Sequence, residues 1–177
     1  MELLECRHVY KEFDHKPILT DINFKIPRGK IIGLLGKNGV GKSTLIKLMN
    51  DLLTPTSGEI LMQGKKPGIE SKKMIAYLPE RTYLDKEMTV KQVLQYFTEF
   101  YENFDTQKAT KLLQDLNLEM DRKLSKMSKG MQEKVQLILV MSREADLYIL
   151  DEPLRRSRSS YKRLHFRYDS FQFQRRC

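Results

Sequence analysis

Cysteine is scarce in this chain: only Cys6 and Cys177 of 177 residues carry a thiol, and they sit at opposite ends. Two cysteines so placed suggest no disulfide framework. Long apolar runs are missing as well. Stretches such as Leu137-Ile138-Leu139-Val140-Met141 are far short of the roughly 20 residues that cross a bilayer. The first residues, Met1-Glu2-Leu3-Leu4-Glu5, are acidic where a signal peptide is basic. No internal repeat is found. These absences predict a cytosolic protein. What remains is ordinary: 40% apolar and 31% charged residues, in a length that accommodates one domain with a sizeable core.

The net charge of +9 invites a nucleic-acid reading, but its distribution argues against one for the body of the chain. Residues 154–177 hold eight Lys/Arg against one Asp, which is +7, and residues 1–153 therefore carry only +2. Basic residue usage changes at the same point: 19 Lys and 5 Arg before it, 1 Lys and 7 Arg after it. The basicity belongs to the tail.

Residues Gly36, Lys37, Asn38, Gly39, Val40, Gly41, Lys42, Ser43 and Thr44 fit G-x-x-x-x-G-K-[ST], a phosphate-cradling loop. So degenerate a pattern needs context. The apolar run Lys30-Ile31-Ile32-Gly33-Leu34-Leu35 before it predicts a buried strand, and Leu45, Ile46, Leu48, Met49 and Leu52 after it recur at helical spacing. In that setting the loop's N–H groups and the positive end of the new helix converge on phosphate oxygens. Lys42 would reach the β- and γ-phosphates, and the Ser43 hydroxyl would ligate Mg²⁺. The competing reading is a glycine turn before an ordinary helix.

Residues 2–10 and 18–26 read as strands, with a turn at Pro27-Arg28-Gly29. Short strands follow at 59–62 and 74–78. From Thr89, a plausible N-cap, Val90, Val93, Leu94, Phe97 and Phe100-Tyr101 form a helical stripe. A second helix is expected over 106–116, with Ala109, Leu112, Leu113 and Leu116 on one face, and a third over about 129–143. Leu147-Tyr148-Ile149-Leu150 is a fully apolar strand ending in Asp151-Glu152. The whole predicts an α/β body with a helical insertion.

Taken together, the phosphate loop, the sequence Leu124-Ser125…Ser128-Lys129-Gly130-Met131-Gln132 and the Asp151-Glu152 strand resemble the ATP-binding subunit of an ABC transporter over residues 1 to about 153. The resemblance implies a P-loop NTPase of ABC type with an N-terminal antiparallel β part and a helical subdomain at about 82–127. Asp151 matches the residue that holds the Mg²⁺ hydration shell, and Glu152 the catalytic carboxylate that polarises the attacking water. Ser128, Gly130 and Gln132 match the family signature Leu-Ser-Gly-Gly-Gln; Lys129 and Met131 depart from it. That signature faces the γ-phosphate of ATP held by a second ATP-binding subunit, in a homo- or heterodimer. Phe13 lies where an aromatic stacks on adenine, with Tyr10 its rival. At Tyr77-Leu78-Pro79-Glu80 the family usually has Gln as a Mg²⁺ contact, so Glu80 alters the charge there.

The resemblance stops at Pro153. The family's Gly-Gly-x-Asp loop and switch histidine find no counterpart in Leu154-Arg155-Arg156-Ser157-Arg158-Ser159, which suggests a tail read in another frame or an unrelated splice. His165 follows Glu152 by only 13 residues, too few for a parallel crossover of a dozen or more plus its strand. The expectation is therefore a fold whose C-terminal strands are missing, with the basic tail at a sheet edge or disordered. ATP with Mg²⁺ is the implied ligand. A membrane-spanning transporter subunit is the implied partner, meeting the helical stretch near Tyr83 or Leu84, and the implied location is the inner face of the membrane. A soluble ABC ATPase acting on ribosomes or DNA, and a non-enzymatic basic module binding nucleic acid or acidic lipid, remain the alternatives. Turnover by the 177-residue chain is expected near background.

Overall fold

A computed structural model describes residues 2–151. The expectations for Glu152, for His165 and for the basic tail lie outside the described residues. Two long strands open the chain, β1 (Glu2–Phe13) and β2 (Lys16–Pro27), paired antiparallel from Glu2↔Pro27 to Phe13↔Lys16. The other edge of β1 takes β3 (Ser57–Met62), also antiparallel, which gives the order β2-β1-β3. Alternation puts Leu4, Cys6 and Val9 of β1 inward, where they are buried. The N-terminal antiparallel part is as expected, and β1 continues three residues beyond its expected end.

Helix α1 (Lys42–Met49) buries Leu45, Ile46, Leu48 and Met49 against this sheet. The same cluster takes in Ile75 of β4 (Ile75–Leu78) and Ile149 of β5 (Leu147–Leu150). Strands β4 and β5 pair in parallel, Ile75↔Leu147 to Leu78↔Leu150. A short helix before β4, α2 (Ile69–Met74), was not foreseen; only Ser71 of it is buried, so it carries almost no apolar period to read.

A second cluster is built by α3 (Val90–Phe100), α4 (Thr106–Asp115) and α5 (Lys129–Met141), with a 3₁₀ turn at Leu124–Lys126. Thr89 does cap α3: its Oγ1 accepts from Gln92 N at 3.2 Å, and Gln92 Oε1 accepts from Thr89 N at 2.8 Å. Val90, Val93, Leu94 and Phe97 are buried as the stripe predicts, but Phe100 is 64% exposed. On the other face of α5, Leu137 and Val140 pack on Ala76 and Leu78 of β4 and so join the helices to the parallel strands.

One expected element is not formed. Residues 30–35 run without a ladder, and Ile31, Ile32, Leu34 and Leu35 are exposed, Leu35 by 92%. An apolar run of this kind is stable as a strand only between two others that satisfy its N–H and C=O groups and cover both faces. Among the described residues nothing pairs with it. The family resemblance places a strand C-terminal to Glu152 between this segment and β5. Its start is nonetheless anchored beside β5, because Arg28 Nη1 contacts Asp146 Oδ1 at 2.6 Å.

Candidate nucleotide site

The phosphate loop lies between the unpaired run and α1. Gly39 and Gly41 stand at φ 82° and 96°, in the left-handed region. Gly41 is required for a second reason. A Cβ there would lie 2.7 Å from the Leu19 side chain and 3.0 Å from the Ile18 carbonyl oxygen, so the loop rests directly on β2. Gly41 is also the N-cap of α1 and offers no side chain to its first amides, which point into the loop. Lys42 Nζ donates to the carbonyl oxygens of Gly36 and Lys37, both at 2.8 Å, and so places its ammonium across the loop's mouth. Ser43 is exposed at the same end. A phosphate chain would exchange those two carbonyl contacts for charge-assisted bonds to Lys42.

Asp151 stands just past the C-terminal end of β5, 8% exposed, its N–H donating to Leu78 O at 2.9 Å. The parallel register thereby puts Asp151 beside the end of β4, where Glu80 follows two residues on. Tyr77 registers both: burial raises its pKa most, and the charges of Asp151 and then Glu80 raise it further. The structure thus brings together two carboxylates at the C-terminal edge of the parallel pair. Such an edge is where ligands bind in open α/β sheets, and two carboxylates there suit a hard cation.

Ser128 is the N-cap of α5, its Oγ accepting from Met131 N at 3.3 Å. Gly130 has open space where a Cβ would be, and Lys129 is exposed. Gln132 turns back to donate to the carbonyls of Leu124 (2.9 Å) and Met127 (3.2 Å) and so ties the 3₁₀ turn to the helix. Met131 packs against the helical cluster, which gives the departure from the signature a physical sense. Phe13 is 41% exposed at the end of β1 with Lys11 Nζ 4.8 Å from its ring, whereas Tyr10 is half-buried and donates to Glu12.

Sequence reasoning missed Arg143. It sits just beyond the C-terminus of α5, 6% exposed, reaching the carbonyl oxygens of Ile75 (2.7 Å) and Lys73 (3.1 Å) and Asn103 Oδ1 (3.2 Å). Its guanidinium lies 4.0 Å from the Tyr101 ring. Asn103 in turn holds Lys73 O and Glu144 O, so one small network binds the α3–α4 turn to the start of β4. A lone Arg after an apolar helix carries no periodic or motif signal that would have singled it out.

With this geometry in view, a family model described as ABC transporter matches residues 19–155. The chain belongs to the ABC transporter family. It is 31% identical over 155 residues to the ABC transporter ATP-binding protein YtrB of Bacillus subtilis, a match covering 85% of this chain and 52% of that protein. To the zinc import ATP-binding protein ZnuC of Rickettsia conorii it is 35% identical over 154 residues, covering 86% of this chain and 63% of that one. A solved ATP-binding subunit of an ABC transporter superposes with a TM-score of 0.79 at 31% identity, over 86% of this chain and 67% of that one. A putative ABC transporter ATP-binding protein from Pyrococcus furiosus gives 0.77 at 29%, over 90% of this chain and 80% of that one. The fold is therefore the α/β P-loop NTPase fold of ABC type. The chain spans between about half and two thirds of the length of these two curated relatives.

Proposed function

We propose that this chain binds ATP with Mg²⁺ and supplies the ATP-binding half-site of a transporter subunit whose hydrolysis drives transport. The observation that carries the reading is the phosphate loop itself: Gly41 seated on β2, the start of α1 aimed into the loop, and the Lys42 ammonium across its mouth. Residues 36–44 hold the phosphates, and Phe13 stacks on the base. Ser43, Asp151 and Glu80 are the Mg²⁺ contacts, with Asp151 acting through the hydration shell. Glu152 is the catalytic carboxylate. Residues 128–132 face the nucleotide of a second ATP-binding subunit, identical or not, across a helix N-terminus suited to an anion.

Residues 1–153 form the ATP-binding domain in this reading, with a helical subdomain at about 82–127 and a basic tail from 154 on. No helix among the described residues is long and apolar enough to cross a membrane. The proposed place is peripheral, at the cytoplasmic face, against a membrane-spanning subunit. Of the two residues expected to meet that subunit, Tyr83 is 53% exposed while Leu84 is buried.

Titration with a fluorescent ATP analogue tests the loop. Lys42→Ala removes a charge-assisted bond of about 1.5–3 kcal/mol, so affinity should fall by roughly ten- to a hundredfold. Equal affinity of the two proteins would overturn the assignment.

A further inference from the structure

We propose that Met88 and Met120 form a reversible oxidation site: a peroxide converts their thioethers to sulfoxides, and the junction that holds residues 128–132 in place then opens. The functional consequence rests on the reading of residues 128–132 given above; the modification itself does not. Four methionines, Met88, Met120, Met127 and Met131, gather in the helical cluster. Met127 is buried and the other three are half-buried. Half burial is what such a site needs. A fully exposed thioether is oxidised without consequence, and a fully buried one is closed to the oxidant. Met49 and Met62 are closed in this way, while Met74 and Met141 are half-buried in other parts of the core. Cys6 does not compete: it is 2% exposed and burial pushes its thiol up to about 12, so it carries no reactive thiolate at neutral pH.

What singles out Met88 and Met120 is the backbone they belong to. Residues 86–91 and 120–125 lie against each other, bridged antiparallel at Thr89↔Lys123. Met88 O accepts from Leu124 N at 3.0 Å, Met120 O from Lys91 N at 2.8 Å, and Lys86 O from Ser125 N at 2.7 Å. Leu124 opens the 3₁₀ turn, its carbonyl is held by Gln132, and Ser128 caps α5 just beyond that turn. The junction therefore sets where residues 128–132 sit. In the oxidation, a sulfur lone pair attacks one peroxide oxygen and the O–O bond breaks. The departing hydroxide takes the proton from the transferred oxygen and leaves as water; sulfur loses two electrons and the peroxide gains them. The product carries a polar S=O group where an apolar thioether packed. The nearby N–H groups of Val90, Lys91, Leu124 and Ser125 already have acceptors, so the new oxygen is satisfied only by water. Each side chain that turns outward pulls on the carbonyl that closes the junction.

The test treats the full chain with hydrogen peroxide, maps added oxygen by peptide mass spectrometry and follows amide exchange. Met88 and Met120 should gain one oxygen each. Exchange at Val90, Lys91, Leu124 and Ser125 should quicken by about tenfold or more, the scale of one polar group left unsatisfied in a core. Exchange in β1 should stay unchanged, as should the affinity of the phosphate loop for a fluorescent ATP analogue. Methionine sulfoxide reductases, which return the thioether and water at the expense of two thiols, should restore protection. A Met88→Leu, Met120→Leu double variant keeps the volume and cannot be oxidised there, so its junction should resist peroxide; the two single variants, each losing part of the response, serve if the double variant melts early. Oxidation of both residues without faster exchange at the junction overturns the proposal. So does preferential oxidation of Met74 and Met141, an equal response in the leucine variants, or a loss that the reductases leave in place. Recovery with a thiol reductant alone would assign the response to cysteine and also overturn it. Because the exchange readout needs no nucleotide, its failure leaves the phosphate-loop assignment standing.

Discussion

The helical cluster and the segment before the phosphate loop have similar apolar content and opposite fates. In the first, Val93, Phe97, Ala109, Leu113 and Val135 are buried to within 2%. Beyond their first turns its helices close their backbone bonds within themselves, and all three begin on side-chain caps, Thr89, Asp105 and Ser128. In the second, four of six residues are large aliphatics left in solvent. The difference is the source of the backbone partners. A helix satisfies itself within four residues, so its apolar face needs only a neighbour to cover it. A strand in a parallel sheet takes both its hydrogen bonds and its cover from strands far away in sequence.

The largest consequence concerns catalysis. Hydrolysis requires the phosphate loop, Mg²⁺ ligands and catalytic carboxylate in register. Among the described residues the loop follows a segment with no ladder partner, whose approach is tied to β5 through Arg28–Asp146. Removing one stabilising contact on a developing charge costs about 10²–10³ in rate, and a misregistered loop disturbs several. Phosphate release by the purified 177-residue chain should therefore run near background. Several turnovers per second, abolished in Glu152→Gln, would show that residues 30–35 pair after all and would erase the contrast between the two regions.

Stability should divide the same way. Leu113 is fully buried and Leu35 is 92% exposed. Leu113→Ala creates a cavity and should cost about 2–5 kcal/mol, whereas Leu35→Ala should stay within about 0.5 kcal/mol. Chemical denaturation of the two variants makes the comparison with one residue type. A large loss at Leu35 would mean that the segment is packed in solution. Next in size is the cap of α3: Thr89→Ala breaks a reciprocal capping box and should cost about 1 kcal/mol, visible as a lower denaturation midpoint with unchanged slope.

These sizes also explain what could be read in advance. Helices α3, α4 and α5 were legible because period, cap and breaker all agree at Thr89, at Ala109 with Leu113, and at Ser128. The phosphate loop was legible because lysine and glycine spacing there answers to chemistry as well as to folding. The segment 30–35 was misread because composition reports the environment a stretch is suited to, not whether its partners are present. Helix α2 went unseen for lack of an apolar face. Arg143 was invisible because its partners, Lys73 with Ile75 and Tyr101 with Asn103, come from two distant stretches of the chain that meet only once it has folded.

The smallest expected effect probes the antiparallel sheet, which closes locally as the helices do. Glu5 of β1 meets Arg7 at 2.7 Å and Lys25 of β2 at 2.9 Å, while Arg7 also reaches Glu59 of β3 at 3.1 Å, so one charged cluster crosses all three strands. Arg7, and after it Lys25, hold the Glu5 carboxyl down to about 2 from an ordinary 4.5. A lowered folded-state pKa means that the ionised form favours the native sheet. That contribution is fully present above pH 4.5, shrinks as the pH falls through the window, and is gone below about 2, where both states are protonated. Arg7 and Lys25 are both half exposed, so solvent and salt screen the cluster and its weight is slight. The difference in melting temperature between wild type and Glu5→Gln should narrow steadily on acidification and also shrink in high salt. Amide exchange in β1 should quicken over the same window while residues 30–35, already unprotected, do not change. A gap that stays constant from neutral pH to pH 2 would show that the cluster does not tie the strands, and that the sheet depends on its apolar face alone.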